Sequence, residues 1–205
     1  MEGRTQAFDN AFLVALREPG DTSVPIGPMW LKDAMRDISS LGGVTVVTLI
    51  VLVVTGYLLM VKKFRLFFYL MASVAGGALG MVVLKDLFHR PRPSVVTHLQ
   101  EISSTSFPSG HSMVSAIVYL TLAAILAKTT TSYKLKAYYV STAVFMTLLI
   151  GFSRLYLGVH YPTDVAAGWL AGTLWAATTY LFANYLESRG KIEKEVPPPP
   201  QETEL

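Results

Sequence analysis

The chain has 205 residues, of which 52% are hydrophobic and only 15% charged, with a formal net charge of +3. Its apolar residues are bunched in long runs instead of recurring at the spacing of a soluble core, which excludes an ordinary water-soluble domain and points to a membrane protein. Cysteine is absent, so disulfides and thiolate metal sites are excluded and redox compartment is not legible from cysteine usage.

Residues 1–42 form the first region. Phe8, Ala11, Phe12, Ala15 and Leu16 recur at helical spacing, as do Trp30, Leu31, Ala34, Met35 and Ile38, with charged residues between them. This predicts two short amphipathic helices at the membrane surface, separated by the turn-rich stretch from Glu18 to Pro28. Such a region is either a cap over the membrane bundle or a guide for substrate. Its basic residues, Arg4, Arg17, Lys32 and Arg36, are outnumbered by Glu2, Asp9, Glu18, Asp21, Asp33 and Asp37, which permits translocation.

Five stretches follow that are long enough, or nearly so, to cross a hydrocarbon core of about 30 Å. They run from Gly43 to Val61, Leu66 to Leu87, Ser109 to Ala127, Ala137 to Phe152 and Val165 to Leu186. The first lies too deep in the chain to be a cleavable signal peptide. The expected fold is all-α, a polytopic transmembrane helix bundle across residues 43–187. A small-residue face at Ala75, Gly76, Gly77, Ala78 and Gly80, and a GxxxG step at Gly168 and Gly172, should let helix backbones approach closely, inside that bundle or, as the alternative, across a dimer. Residues 188–205, with four consecutive prolines at 197–200, read as a disordered cytoplasmic tail.

Orientation comes from Lys and Arg in the short connections. Lys62, Lys63 and Arg65 follow the first span, Lys128, Lys134 and Lys136 the third, and Arg189, Lys191 and Lys194 the fifth. These ends should face the cytoplasm. The connections 88–108 and 153–164 then share the opposite face, together with the N-terminus. Arg90, Arg92 and Arg154 break the charge rule there; basic residues kept on the translocated side are better explained by an anionic ligand than by topology, with a surface salt bridge as the alternative.

Three segments on that face carry the chemistry. Lys85 lies near the exit of the second span, seven residues before Arg92, while Pro91 and Pro93 force an extended course that bends Arg90 and Arg92 back over the helix end as a cationic cradle. Alone, this segment would also suit a snorkelling lysine and arginines at lipid headgroups. Phe107-Pro108-Ser109-Gly110-His111 opens the third span. The free amides near Ser109 and Gly110, the Ser109 hydroxyl and the helix dipole make a phosphate seat, Gly110 lets a ligand approach, and His111 is placed to deliver a proton; alone, His111 would read as a satisfied interfacial histidine. In the third segment, Ser153-Arg154 precedes His160 by five intervening residues and Asp164 by nine. With Pro162 in the first turn of the fifth span, Asp164 can accept the ring N–H of His160 and leave the other nitrogen as a nucleophile; as an alternative or in addition, Asp164 caps the helix.

Taken together and in order, these segments match K-x6-R-P, P-S-G-H and S-R-x5-H-x3-D without substitution. The chain therefore resembles the type 2 phosphatidic acid phosphatase superfamily over residues 40 to 187. The resemblance implies that Lys85, Arg92, Arg154, Ser109 and the Gly110 amide hold the phosphoryl oxygens. It implies that His160 attacks phosphorus, Asp164 orients His160, and His111 protonates the leaving oxygen. No metal or other cofactor is implied, because fixed cations neutralise the charge. His89 and His98 match no signature position.

The expected activity is that of an integral-membrane lipid phosphatase acting outside the cytoplasm, in a bacterial inner membrane. The expected partners are the bilayer and a lipid phosphate within it, with undecaprenyl diphosphate as first choice and phosphatidic acid or phosphatidylglycerol phosphate as alternatives. Nucleic acid is not an expected partner, and oligomeric state is not legible. A non-catalytic lipid-binding or transport module is the competing class, but such a protein should have lost His111, His160 or Asp164. Haloperoxidase chemistry on a similar signature belongs to soluble enzymes. Membrane members of the family commonly carry a sixth span ahead of the segment matching 1–42, so five spans imply a shorter form or an absent first span.

Overall fold

The computed structural model describes residues 2–100 and 104–189 of the chain. The order is α1 (Glu2–Ala15), a two-stranded antiparallel ribbon of β1 (Arg17–Glu18) and β2 (Asp21–Pro25), then α2 (Met29–Ser40), α3 (Val44–Met60), α4 (Phe64–Phe88), α5 (Gly110–Lys128), α6 (Tyr133–Tyr156) and α7 (Pro162–Ser188). Helices stand at all five expected span positions. By length and composition α4, α5 and α6 each qualify as membrane spans alone, and α2 with α3 forms a further candidate bent by 45°. Two expected spans thus fall short of that test. The 17 residues of α3 are too few on their own, and α7 spreads Ala, Gly, Thr, Trp and Tyr among its leucines. The tail expected at 188–205 lies, from residue 190 onward, outside the described residues.

The bundle is built around α5, which packs against α4, α6 and α7. Half of its most apolar window is buried in the molecule, against 28% for α4 and 22% for α6. Large apolar side chains such as Leu52, Val53, Phe68, Leu79, Phe145, Leu170, Leu174 and Leu181 point outward instead. In a bilayer that outer surface is matched to lipid, and helix association depends on close packing and interhelical hydrogen bonds. Both are present. Ser73 and Thr121 share a 2.7 Å hydrogen bond between α4 and α5, and Trp175 Nε1 donates to the Ser73 carbonyl at 2.8 Å.

The GxxxG step on α7 faces α5, so its role is packing within one bundle. A Cβ on Gly168 would lie 2.7 Å from the Ser109 carbonyl oxygen, and one on Gly172 would lie 2.5 Å from that of Met113. Those neighbours are backbone and cannot rotate away. Gly172→Ala should therefore force α5 and α7 apart at a cost of about 1–3 kcal/mol, read as a lower melting temperature in detergent. An unchanged melting temperature would show that this contact is looser than described.

Two corrections concern element boundaries. The fourth span, expected over Ala137 to Phe152, is the 24-residue α6. Ser132 caps its start by accepting from the Leu135 amide, and Ser153 and Arg154 belong to its last turn rather than to a loop. A basic residue there also suits the negative end of the helix dipole. The stretch from Glu18 to Pro28 is partly a β-ribbon, not turns alone.

The N-terminal region caps one end of the bundle. Leu13, Phe12 and Leu16 pack on Val96, Leu155, Tyr161 and Val165, while Ile26, Leu31 and Met35 pack on Leu99, Tyr156, Leu157 and Val159. Arg17 is buried and donates to the carbonyls of Tyr156 (3.0 Å), Leu16 (3.1 Å) and Thr97 (3.3 Å). Burial holds its guanidinium below the ordinary value. At the other end, Lys63, Lys128 and Thr129 border an apolar cavity of about 650 Å³, and Lys128 pairs with Glu187 at 2.5 Å. Lys63, Lys128 and Glu187, near the ends of the first, third and fifth expected spans, thus lie at one end of the bundle, opposite the three chemistry-bearing segments.

Candidate active site

The three segments meet where α4 and α6 end and α5 and α7 begin, under the N-terminal cap. α4 finishes at Phe88, and His89 takes a left-handed conformation (φ 38°) as its C-cap. The chain then runs extended through Pro91 and Pro93. His98, the other histidine outside the signature, donates to the Pro93 carbonyl at 2.6 Å and supports that loop.

Asp164 sits at the third position of α7, after the N-cap Tyr161 and Pro162. Its Oδ2 accepts from the Tyr161 amide at 2.9 Å and from the Ser106 hydroxyl. Its Oδ1 accepts from Arg90 Nη1 at 2.6 Å. The carboxylate therefore caps the helix and also faces the imidazole, because His160 Nδ1 lies 3.6 Å from Oδ2. That separation is longer than a formed hydrogen bond, yet no other hydrogen-bond partner meets Nδ1 among the described residues. On the other side of the ring, Arg92 Nη1 donates to Nε2 at 3.2 Å. A donor there makes Nε2 the bare nitrogen and leaves the proton on Nδ1, toward Asp164.

Burial pushes the His160 imidazole down to about 4, with Arg92 and Arg154 adding to the shift and Asp164 opposing it. The ring is then neutral at pH 7. Because the folded value lies below the ordinary 6.5, the unfolded chain binds the extra proton between these values. This contribution to stability is complete above about 6.5 and is lost as pH falls toward 4. If the neutral ring is the reactive form, the acid limb of kcat/KM should fall below pH 6.5. A limb at or above 6.5 in a pH–rate profile would contradict this environment.

Arg154, with no exposed surface, donates through Nη1 to Ser39 Oγ at 2.5 Å and to Gln100 Oε1 at 2.7 Å. Its Nε and Nη2 have no hydrogen-bond partner among the described residues. These two groups form the side-on edge of the guanidinium, which matches two oxygens of a phosphate or carboxylate. Arg92 is engaged otherwise, donating to the carbonyls of Ser104 (2.8 Å), Val159 (2.5 Å) and Thr105 (3.4 Å) and to Ser104 Oγ (3.1 Å). Lys85 Nζ donates to the Thr105 carbonyl at 2.8 Å.

Ser109 is the N-cap of α5, its hydroxyl accepting from the Ser112 amide at 3.5 Å and the Ser112 hydroxyl at 3.0 Å. Pro108 precedes that cap, two positions before the first helical residue, Gly110. The Ser109 amide donates to the Asp164 carbonyl at 3.0 Å, joining the starts of α5 and α7. Gly110 follows beside Met81 and Lys85: an added Cβ would meet Met81 Sδ at 3.1 Å and Lys85 Cε at 3.7 Å. His111 lies next to the α2–α3 bend at Gly42 and Gly43, within electrostatic reach of Arg154, His160, Arg92 and Lys85. All eight sequence-predicted residues thus gather at one end of the bundle. Arg90 and Ser106, which bond the Asp164 carboxylate, and Asp9, which bonds Arg90, are additional.

Membrane-length helices carrying cations and imidazoles around a buried carboxylate define a multi-pass membrane protein equipped to handle phosphate esters. The PAP2 superfamily model matches residues 65–188. A phosphatidylglycerophosphatase B of Bacillus subtilis is 35% identical over 156 residues, 74% of this chain and 75% of the relative. An undecaprenyl-diphosphatase of Sulfolobus acidocaldarius is 34% identical over 100 residues, 48% of this chain and 42% of the relative. The crystal structure of a transmembrane PAP2-type phosphatidylglycerolphosphate phosphatase from Bacillus subtilis superposes with a TM-score of 0.81 at 30% identity, covering 90% of this chain and 88% of that one. The chain belongs to the PAP2 superfamily, and is a hydrolase of the membrane lipid phosphatase kind.

Proposed function

We propose that this protein hydrolyses the phosphate or diphosphate of a bilayer lipid at the extracytoplasmic face of a bacterial inner membrane, through a phosphohistidine. The observation that carries the reading is the buried, unpartnered Nε/Nη2 edge of Arg154 beside Arg92 and His160. Two parallel N–H donors in a buried site are costly unless an oxyanion or another acceptor meets them.

In this reading Arg154, Lys85 and Arg92 hold the phosphoryl oxygens with Ser109 and the Gly110 amide. His160 Nε2 attacks phosphorus, forming the N–P bond as the P–O bond to the leaving lipid breaks. His111 protonates the departing oxygen. A water molecule then gives a proton to His111 and attacks phosphorus, releasing phosphate and the free imidazole. The fixed cations supply the charge neutralisation, so no metal or cofactor takes part.

Phosphatidylglycerol phosphate is the first substrate to test, since the relative matched over three quarters of its length carries that activity in its name. Undecaprenyl diphosphate, favoured on sequence alone, is second, and phosphatidic acid third. Phosphate release from these three lipids in detergent decides among them. No release from any would overturn the reading.

Sidedness follows from the basic clusters at the far end of the bundle. Single cysteines at the exposed Thr97 and at Thr130 should respond oppositely to a membrane-impermeant thiol reagent on intact cells, with Thr97 labelled. Labelling only at Thr130 would put the substrate on the cytoplasmic leaflet.

A further inference from the structure

We infer that Asp9 and Arg90, neither of which belongs to the signature, are positioning residues for the Asp164–His160 pair, so that helix α1 takes part in setting the reactivity of the nucleophile. The inference rests on the phosphatase reading above.

Four groups close a ring behind the site. Arg90 Nη2 donates to Asp9 Oδ2 at 2.8 Å, and Arg90 Nη1 donates to Asp164 Oδ1 at 2.6 Å and to Thr163 Oγ1 at 2.8 Å. Thr163 returns two bonds to Asp9, from its amide to Oδ1 at 3.1 Å and from its hydroxyl to Oδ2 at 2.7 Å. The guanidinium also lies over the Tyr161 ring, 4.2 Å from its centroid. Both carboxylates are fully buried, and the Arg90 side chain is 19% exposed.

Asp9 thus reaches from α1, across 154 positions, to the first turn of α7. An anion there satisfies an amide at the helix start and complements the positive end of the dipole. A half-buried cation between two buried carboxylates is worthwhile only if its geometry is fixed at both ends. Arg90 meets that condition because each of its terminal nitrogens is committed to a different carboxylate.

The consequence for chemistry lies in which oxygen is held. Arg90 grips Oδ1 of Asp164, while Oδ2 is the atom facing His160 Nδ1. Holding Oδ1 fixes the rotation of the carboxylate and keeps Oδ2 toward the ring. Charge counts in the same direction. Arg90 alone would neutralise Asp164, but Asp9 compensates Arg90, so the trio Asp9, Arg90 and Asp164 retains one negative charge beside the imidazole. That charge stabilises the Nδ1 proton and the positive charge that develops when Nε2 bonds to phosphorus. Arg92, Arg154, Lys85 and His111 face the same pair from the remaining elements.

The arrangement predicts a split between kinetic constants, because neither Asp9 nor Arg90 belongs to the proposed phosphate cradle. Arg90→Gln and Asp9→Asn should each lower kcat by about 10- to 100-fold, the range typical for partners that orient a reacting group, with KM unchanged. Arg90→Lys keeps the cation but cannot bridge both carboxylates, so it should lose kcat similarly. Asp9→Glu should restore most turnover. The Asp9→Asn/Arg90→Gln double variant should be no slower than Arg90→Gln alone, since Asp9 acts through Arg90.

Turnover of a lipid phosphate would be measured for these proteins beside wild type and His160→Ala, with melting temperatures in detergent. If His160→Ala retains activity, the site reading fails and the inference with it. If His160→Ala is inactive, wild-type kcat in Arg90→Lys overturns the inference alone. A raised KM at unchanged kcat, or multiplicative losses in the double variant, would also overturn it. Should Asp9→Asn not fold, Arg90→Lys and Asp9→Glu carry the decision.

Discussion

Replacing His160 with Ala should abolish turnover while leaving the bundle folded, a loss on the order of 10⁴-fold or more, as when a covalent nucleophile is removed. His160 is almost fully buried, its Nε2 faces the Arg92 guanidinium and its Nδ1 faces Asp164. The other imidazole of the cluster, His111, stands on α5, and in the proposed mechanism it serves the leaving oxygen and not the attack. His111→Ala should differ in kind: slow turnover, with the phosphoenzyme still formed from a substrate whose leaving group needs no proton. Acid-quenched trapping with labelled substrate separates the two. Undiminished labelling in His160→Ala would end the assignment.

How much of this was legible beforehand depends on the range of each interaction. Spans were readable because hydropathy is a local property summed over about 20 residues, and the extra turns of α6 were hidden because Ser153 and Arg154 are polar residues inside a helix. The eight signature residues were readable because three short segments hold them at fixed spacing. The Asp9–Arg90–Asp164 bridge was not, since its partners are 81 and 74 positions apart. One hint was present. Arg90 broke the charge rule beside Arg92, and an unexplained cation near a site suggests a buried acid as well as a ligand. Nothing in the sequence marked Asp9 as its partner among six acidic residues of the N-terminal region. The small β-ribbon between α1 and α2 was hidden for a similar reason, being anchored by long-range bonds such as Thr97 N to the Thr22 carbonyl.

The close approach of α5 and α7 links packing to chemistry. Gly168 and Gly172 let the two helices touch backbone to backbone, and the Ser109 amide consequently reaches the Asp164 carbonyl. The start of α5, with Ser109, Gly110 and His111, is thereby fixed against the start of α7, with Asp164 and the preceding His160. The small residues that hold the bundle together therefore also set the spacing between the proposed acid and the proposed nucleophile.

Arg154→Met should separate stability from function, with opposite signs for the two. The side chain is completely buried, carries two donors without hydrogen-bond partners among the described residues, and lies within electrostatic reach of Arg92. Each feature disfavours the folded state when no anion is bound. A buried cation replaced by an apolar side chain of similar length is often neutral or stabilising, although Ser39 and Gln100 lose a shared donor. The variant should melt at or above the wild-type temperature in phosphate-free detergent. Activity should move the other way by about 10²–10³-fold, the usual effect of removing one fixed donor from a developing oxyanion. Arg154→Lys should recover little of that loss, because a single ammonium cannot reproduce the side-on pair of N–H groups. Vanadate, which adopts the geometry of pentacoordinate phosphorus, should raise the melting temperature of the wild type and not of Arg154→Met. A Met variant that unfolds, or one that keeps wild-type turnover, would show that the free edge of this guanidinium serves the fold and not the phosphate.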